Sequence, residues 1–407
     1  MGRCRICGDQ SPLISSQLGV CLQCIRDKPE EALKITDKVH AESRGVFGLP
    51  PKPPRDTNGI SCGVCSNDCK IGEGEKGFCG LVFNKGGRLV RMGGTAEKGI
   101  LQWYYDPLPT NCVAWWFCPG CTGAGYPKYA YKRGAEMGYA NLAVFYGACS
   151  LDCLHCQNWH YRNLAAKLGP VMSAESLAAK ADSHVSCICY EADESCPKNG
   201  GKSSVVPVVS AEGLAAKVDP HVSCICFFGG DPSVQMPHAL KTSRVALERA
   251  RAEGWIFRVC WETNGYWKKE FGLQAAELSL VSGGVVKFDL KTWDENLNRA
   301  LCGVSNKPTL DNFRVIGEAF YKKRPDLPVL TASTLLIPGY VDDLEVGNIA
   351  RFIAEIDQRI PYSLLAFCPH YVMSDLPTTS RRLAHRCFDV AKKHLKNVRL
   401  GNIHLLS

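Results

Sequence analysis

Cys149, Cys153 and Cys156 form a C-x3-C-x2-C run directly behind the apolar, strand-like stretch Leu142 to Tyr146, inside YGACSLDCLHCQNW. Three thiolates at that spacing can hold three irons of a four-iron cluster and leave the fourth open. A cluster closed by four thiolates can only pass electrons, whereas an open iron can bind and split a small molecule. The absent fourth cysteine points to an enzyme whose chemistry starts at that iron. It also asks for a fold that delivers the loop from the end of a strand.

From residue 141 onward, β-rich runs alternate with amphipathic stretches. Strands are expected at about 142–147, 222–229, 256–262, 284–290, 330–336 and 362–367, with helical patterns such as 239–253 and 343–357 between them. Apolar, β-branched strands separated by helices predict a parallel sheet with the helices outside it. Several of these runs close on polar or glycine-rich phrases: Gly229-Gly230-Asp231-Pro232, Glu262-Thr263-Asn264-Gly265 and Asp289-Leu290-Lys291. Leu336-Ile337-Pro338-Gly339 with Asp342-Asp343, and Phe367-Cys368-Pro369-His370, follow. In a parallel barrel the site lies at the C-terminal ends of the strands, where these phrases fall.

This ordered set, spread over residues 55–407, resembles the radical S-adenosylmethionine (SAM) superfamily. Within it, the chain looks most like the glycyl-radical activating enzymes of the pyruvate formate-lyase activating type and their uncharacterised archaeal and bacterial relatives. The resemblance implies an α/β fold, with a partial (β/α)6 barrel over 141–407, a [4Fe-4S] cluster on Cys149, Cys153 and Cys156, and bound SAM. It further implies that Gly229 and Gly230 let backbone carbonyls approach the methionine ammonium beside Asp231. Glu262 and Asn264 would meet ribose or methionine groups, and Lys291, positioned by Asp289, the carboxylate. His155 stands where the family often has an aromatic ring against adenine, and an imidazole can take that place. His160 reads as a surface histidine, and no catalytic residue acting on substrate is identified.

The other cysteines fall into groups of their own. Twenty-three cysteines in a long chain with no apolar signal region indicate metal or cluster ligation in a reducing, anaerobic cytoplasm rather than disulfides. Residues 1–28 carry Cys4-x2-Cys7 and Cys21-x2-Cys24, with zinc-ribbon or rubredoxin-like spacing for one tetrahedral zinc or iron. The metal makes so short a segment foldable. Residues 29–60 read as a helix over 29–45 followed by a proline-rich linker. In 61–140, Cys62, Cys65, Cys69 and Cys79 offer a second metal or cluster site, followed by an aromatic-rich extension. Spacing leaves open both the metal there and whether Cys112, Cys118 and Cys121 of the extension bind one.

SAESLAAKADSHVSCICY at 173–190 recurs as SAEGLAAKVDPHVSCICF at 210–227, with fourteen of eighteen positions identical. Only the second copy runs into Gly229-Gly230. It is therefore assigned to the barrel strand, and 187–209 to an insertion whose Cys187, Cys189 and Cys196 read as a flap without metal.

A formal charge of +8 is modest for 407 residues and reads as solvated lysines more than as an RNA-binding face. The densest basic run, KKHLKNVR, reads as the exposed face of a last helix. No apolar run approaches the roughly 18–20 residues of a membrane span. The resemblance implies one-electron cleavage of SAM by an external donor to a 5′-deoxyadenosyl radical. That radical would take hydrogen from carbon, in the similar-looking relatives a Cα, of a protein or peptide. The additional cysteine modules exceed a minimal activase and favour a modification such as C-methylation with cobalamin as donor, although no cobalamin domain precedes the barrel. The alternatives are a glycyl-radical enzyme activase, an RNA-modifying radical enzyme, and a non-catalytic iron-sulfur and zinc-ribbon adaptor. Substrate, target residue and oligomeric state do not follow from the sequence.

Overall fold

The computed structural model describes residues 1–166 and 208–407. Its centre is a nine-stranded sheet of β1 (Gly99–Pro107), β2 (Ala140–Tyr146), β3 (Val208–Val209), β4 (Val222–Gly229), β5 (Arg258–Thr263), β6 (Val286–Asp289), β7 (Leu330–Leu336), β8 (Tyr362–Ala366) and β9 (Val398–Gly401). The spatial order is β9-β8-β7-β6-β5-β4-β2-β1-β3. Each neighbouring pair from β2 through β9 is parallel, whereas β1 runs antiparallel to both β2 and β3. The six expected strands are β2 and β4 to β8. A seventh parallel strand, β9, lies in the basic run read as helical surface: the last helix is Arg381–Lys392, and Val398 and Arg399 pair with β8. Val398, Leu400 and a glycine make too short a pattern to separate from a helix end by periodicity.

Alternation along the strands gives the sheet two unlike faces. Phe227, Trp261, Trp267, Phe288 and Phe313 form a chain of ring contacts, with centroids 4.7 to 6.3 Å apart, that carries the sheet's outer face onto helix Lys307–Phe320. Such pairs add about 0.5–1.5 kcal/mol each beyond the area they bury. The opposite face carries Asn141, Cys224, Cys226, Arg258, Cys260, Glu262 and Lys287, and it lines cavities instead of a close-packed core. This polar face lets the barrel interior hold ligands.

The N-terminal segments clamp this scaffold. Tyr340 donates its hydroxyl to the Val20 carbonyl at 2.9 Å, Asp375 accepts from Ser15 and Ser16, and Arg26 pairs with Asp342 at 2.9 Å and with Glu345 at 3.0 Å. Part of the IPGYVDD phrase thus holds the ribbon. Helix Pro29–Gly45 starts on Pro29 at its first turn, with Glu30 and Glu31 complementing its dipole. No helix among the described residues is long and apolar enough to cross a membrane. The first copy of the duplication, the insertion up to residue 207 and Cys187, Cys189 and Cys196 lie outside the described residues.

Candidate active site and metal centres

The loop bearing Cys149, Cys153 and Cys156 leaves the C-terminal end of β2 and is fixed by backbone bonds. Asp152 N and Leu154 N donate to the carbonyls of Cys302 and Leu301, both at 2.9 Å. Those carbonyls are free to accept because helix Glu295–Cys302 ends there, capped by Gly303 at φ 75°. Asp152 is fully buried and gathers three partners: His40 Nδ1 at 2.8 Å, Arg162 at 2.8 Å and Arg44 at 3.7 Å. Burial alone would raise its carboxyl pKa, but the His40 hydrogen bond and the two guanidinium charges hold it well below the usual range. Asp152 therefore ties the thiol loop to helix Pro29–Gly45, a link that carries no motif and that the sequence reading missed.

Around the three thiols, one cavity is lined by His155, Gly229, Gly230, Asp231, Asn264, Asp289 and Lys291, residues delivered by β2, β4, β5 and β6. Gly230 N and Asp231 N donate to the carbonyls of Tyr146 and Ala148, both at 2.8 Å. A Cβ on Gly229, whose φ is 105°, would stand 2.6 Å from Tyr146 N, and one on Gly230 would stand 2.3 Å from Ala148 O. Only glycines permit this backbone approach. Asp231 turns its carboxylate to Asn264 N at 2.6 Å and Ser233 N at 2.7 Å, and burial raises its pKa to about 6. Asn264 points its amide Nδ2 at Cys149 Sγ, 3.5 Å away. Lys291 pairs with Asp289 at 2.7 Å, and Asp289 also accepts from Ser333 at 2.7 Å. His155 is 3% exposed, its Nδ1 has no partner, and burial pulls its pKa down to about 3.

Glu262 lines different space. It pairs with Lys287 and borders a larger cavity of about 830 Å³ whose wall includes Trp115, Trp116, Trp159, His160 and His370. Gln157, Asn158 and Leu365 line both cavities, so the two adjoin. His160, read as a surface residue, is half-buried in the cavity wall. It stacks on Phe145 with centroids 5.4 Å apart, and its Nε2 is buried without a partner. The stacking partner comes from β2, fifteen residues earlier, which local sequence cannot reveal.

Residues 143–353 match the family described as the Radical SAM superfamily. The chain belongs to that superfamily. It is similar to uncharacterized protein MJ0808 of Methanocaldococcus jannaschii, at 22% identity over 86% of this chain and 83% of that protein. It is also similar to the isethionate sulfite-lyase activating enzyme of Desulfovibrio desulfuricans, at 28% identity over 59% of this chain and 80% of that enzyme. Among solved structures, a domain of the pyruvate-formate lyase-activating enzyme of Bacteroides vulgatus aligns at 22% identity and TM-score 0.34, covering 44% of this chain and 98% of that domain.

Membership in the radical SAM superfamily implies a [4Fe-4S] cluster and SAM, and the residues fit them. Three half-buried thiols face a cavity that also presents an unpartnered imidazole nitrogen, a glycine-lined backbone edge and a half-buried lysine. Asn264 is aimed at the Cys149 sulfur, a contact of the kind that adjusts the potential of a cluster held there.

Two other cysteine groups also come together. The thiols of Cys4, Cys7, Cys21 and Cys24 lie within 4.8 Å of one another, as one tetrahedral ion requires. Cys62, Cys65, Cys69 and Cys79 line a shared cavity, with Arg91 donating to Cys62 Sγ at 3.5 Å, but no three of them meet that limit. Their module touches the radical SAM loop directly, since Asn67 Nδ2 donates to Ser150 O at 2.7 Å.

Proposed function

We propose that the chain cleaves SAM reductively and removes hydrogen from a carbon, a Cα in the first instance, of a protein or peptide, as a step in modifying it. The observation that carries this reading is the cavity of about 830 Å³ adjoining the proposed SAM site. It falls within the range of about 300–1,000 Å³ typical of ligand sites, and it is walled by tryptophans and histidines that suit apolar and polar side chains alike. Its one permanent cation among the described residues, Arg399, lies 4.1 Å over the Trp115 ring. Such a lining supports a peptide over RNA, whose phosphates require several cations. Similarity to an enzyme named for activating a lyase supports a protein substrate too.

When bound, the cluster and SAM supply the 5′-deoxyadenosyl radical. The chain's own residues position and enclose the reactants. In this proposal Lys291, held by Asp289, meets the methionine carboxylate, the Gly229-Gly230 edge receives the ammonium, and His155 lies against adenine. C-methylation with cobalamin is the modification put first, with glycyl-radical formation as the alternative.

The test is anaerobic reconstitution with iron and sulfide, then SAM and a strong reductant, with and without cobalamin. 5′-Deoxyadenosine and S-adenosylhomocysteine are read by mass spectrometry. Deoxyadenosine that vanishes in Cys153→Ala supports radical chemistry, and S-adenosylhomocysteine appearing only with cobalamin supports methyl transfer. An intact cluster that yields neither product, with a candidate protein substrate present, would favour the adaptor reading.

A further inference from the structure

A second constellation of thiols lies inside the barrel. A cavity of about 360 Å³ is lined by six cysteines: Cys112, Cys118 and Cys121 from the segment between β1 and β2, Cys224 and Cys226 from β4, and Cys260 from β5. Topology produces this convergence. Cys226 and Cys260 are register partners on adjacent parallel strands, and Cys224 precedes Cys226 by two residues, so all three face the same side of the sheet.

The loop thiols are held over them. Glu136 N donates to Gly120 O at 2.9 Å, and the Glu136 carboxylate takes both guanidinium nitrogens of Arg258, at 2.9 and 2.6 Å, so the 108–139 segment is pinned to β5. Cys118 caps the short helix Pro119–Thr122 that carries Cys121, and Cys112, Cys118, Cys121 and Cys260 line the same space.

Three features separate this site from ordinary cysteine packing. Core cysteines behave as small apolar groups and leave no void, whereas these six surround open space. Lys287, 3% exposed and paired with Glu262, lies in the same wall with its Nζ 3.5 Å from Cys226 Sγ, so a charged pair stands beside the thiols. No three of the six thiols fall within 4.8 Å of one another, unlike the ribbon and like Cys149, Cys153 and Cys156. Four sulfurs on one zinc at about 2.3 Å would stand closer together than these do.

We infer that this cavity binds an iron-sulfur cluster, held by Cys112, Cys118, Cys121 and Cys260, distinct from the cluster at the SAM site. The cavity shares Tyr104, Asn111, Cys112, Phe228 and Glu262 with the proposed substrate cavity. The second cluster would therefore border the proposed substrate cavity, a place from which it could exchange an electron with the substrate or anchor it.

The test uses the full chain, reconstituted anaerobically, in a Cys149→Ala/Cys153→Ala/Cys156→Ala background that removes the first cluster. Adding Cys112→Ser, Cys118→Ser and Cys121→Ser should remove about four further irons and four sulfides per chain, measured by elemental and acid-labile sulfide analysis with Mössbauer spectroscopy. Folding of the variants is bypassed by footprinting the unsubstituted chain with iodoacetamide. The Cys112, Cys118 and Cys121 peptides should be protected with iron and sulfide bound and alkylated after chelation. Equal iron and sulfide with and without the added substitutions, one zinc in place of iron, or a Cys112–Cys118 disulfide in the reconstituted protein would each overturn the inference.

Discussion

The thiols of the N-terminal ribbon and those of the barrel loop are the same functional group used in opposite ways. In the ribbon, Cys4, Cys7, Cys21 and Cys24 close to within 4.8 Å of one another, and three of these cysteines with Ile14 form a small cluster of their own, while Leu18, Val20 and Ile25 are buried against the main core. A shared ion there would do the work of a hydrophobic core. In the barrel loop, Cys149, Cys153 and Cys156 stay spread around a cavity because the loop backbone is fastened to Leu301 and Cys302 and its Asp152 to three basic side chains. The ribbon's four thiols already stand close enough for one ion. The barrel shapes its site before anything binds.

That contrast can be broken most decisively at Cys153. Cys153→Ala should abolish deoxyadenosine formation by mass spectrometry while ribbon metal, measured by elemental analysis, is unchanged. Cys21→Ser should do the reverse, and loss of both deoxyadenosine formation and ribbon metal in either variant would show that the two centres are not independent. Next in size, Asp152→Asn leaves Arg162 and His40 buried beside a neutral amide and should cost about 3–5 kcal/mol in urea unfolding. A change under about 1 kcal/mol would mean that the loop is held by its backbone bonds alone. Asn264→Ala removes the amide facing Cys149 and should lower the cluster's reduction potential by the equivalent of about 1 kcal/mol, read by EPR-monitored titration. An unchanged potential would remove Asn264 from the list of tuning groups. The smallest effect belongs to Arg26→Ala, which loosens the ribbon from Asp342 and Glu345 and should cost about 1 kcal/mol with deoxyadenosine formation retained.

Much of the barrel was legible because strands buried on one face and ended by polar phrases leave a local pattern. β2 and β4 to β8 fall where the apolar runs predicted them. Gly229, Gly230, Asp231, Asn264, Asp289, Lys291 and His155 gather in one cavity with the three thiols, whereas Glu262 faces the neighbouring one. The difference at Glu262 is one of strand phase. Lys287 sits opposite it on β6 and draws the carboxylate into the barrel interior, a pairing set by register between strands. β9 was hidden in a basic run, and His160 was misread as surface because its stacking partner Phe145 comes from another element.

By itself the sequence determined where ligand groups stand along the chain: the open triad, the two knuckle pairs of the ribbon, and the phrases that close each strand. Those are local properties, since spacings of two or three residues and period-two alternation act within a turn or a strand. Tertiary structure decided which thiols stand close enough for one ion and which surround a cavity, that Asp152 joins three segments, and that six cysteines from three stretches of chain face the same space. These outcomes depend on strand register and on the path of the 108–139 segment across the barrel, and sheet pairing fixes both over separations that no local pattern encodes.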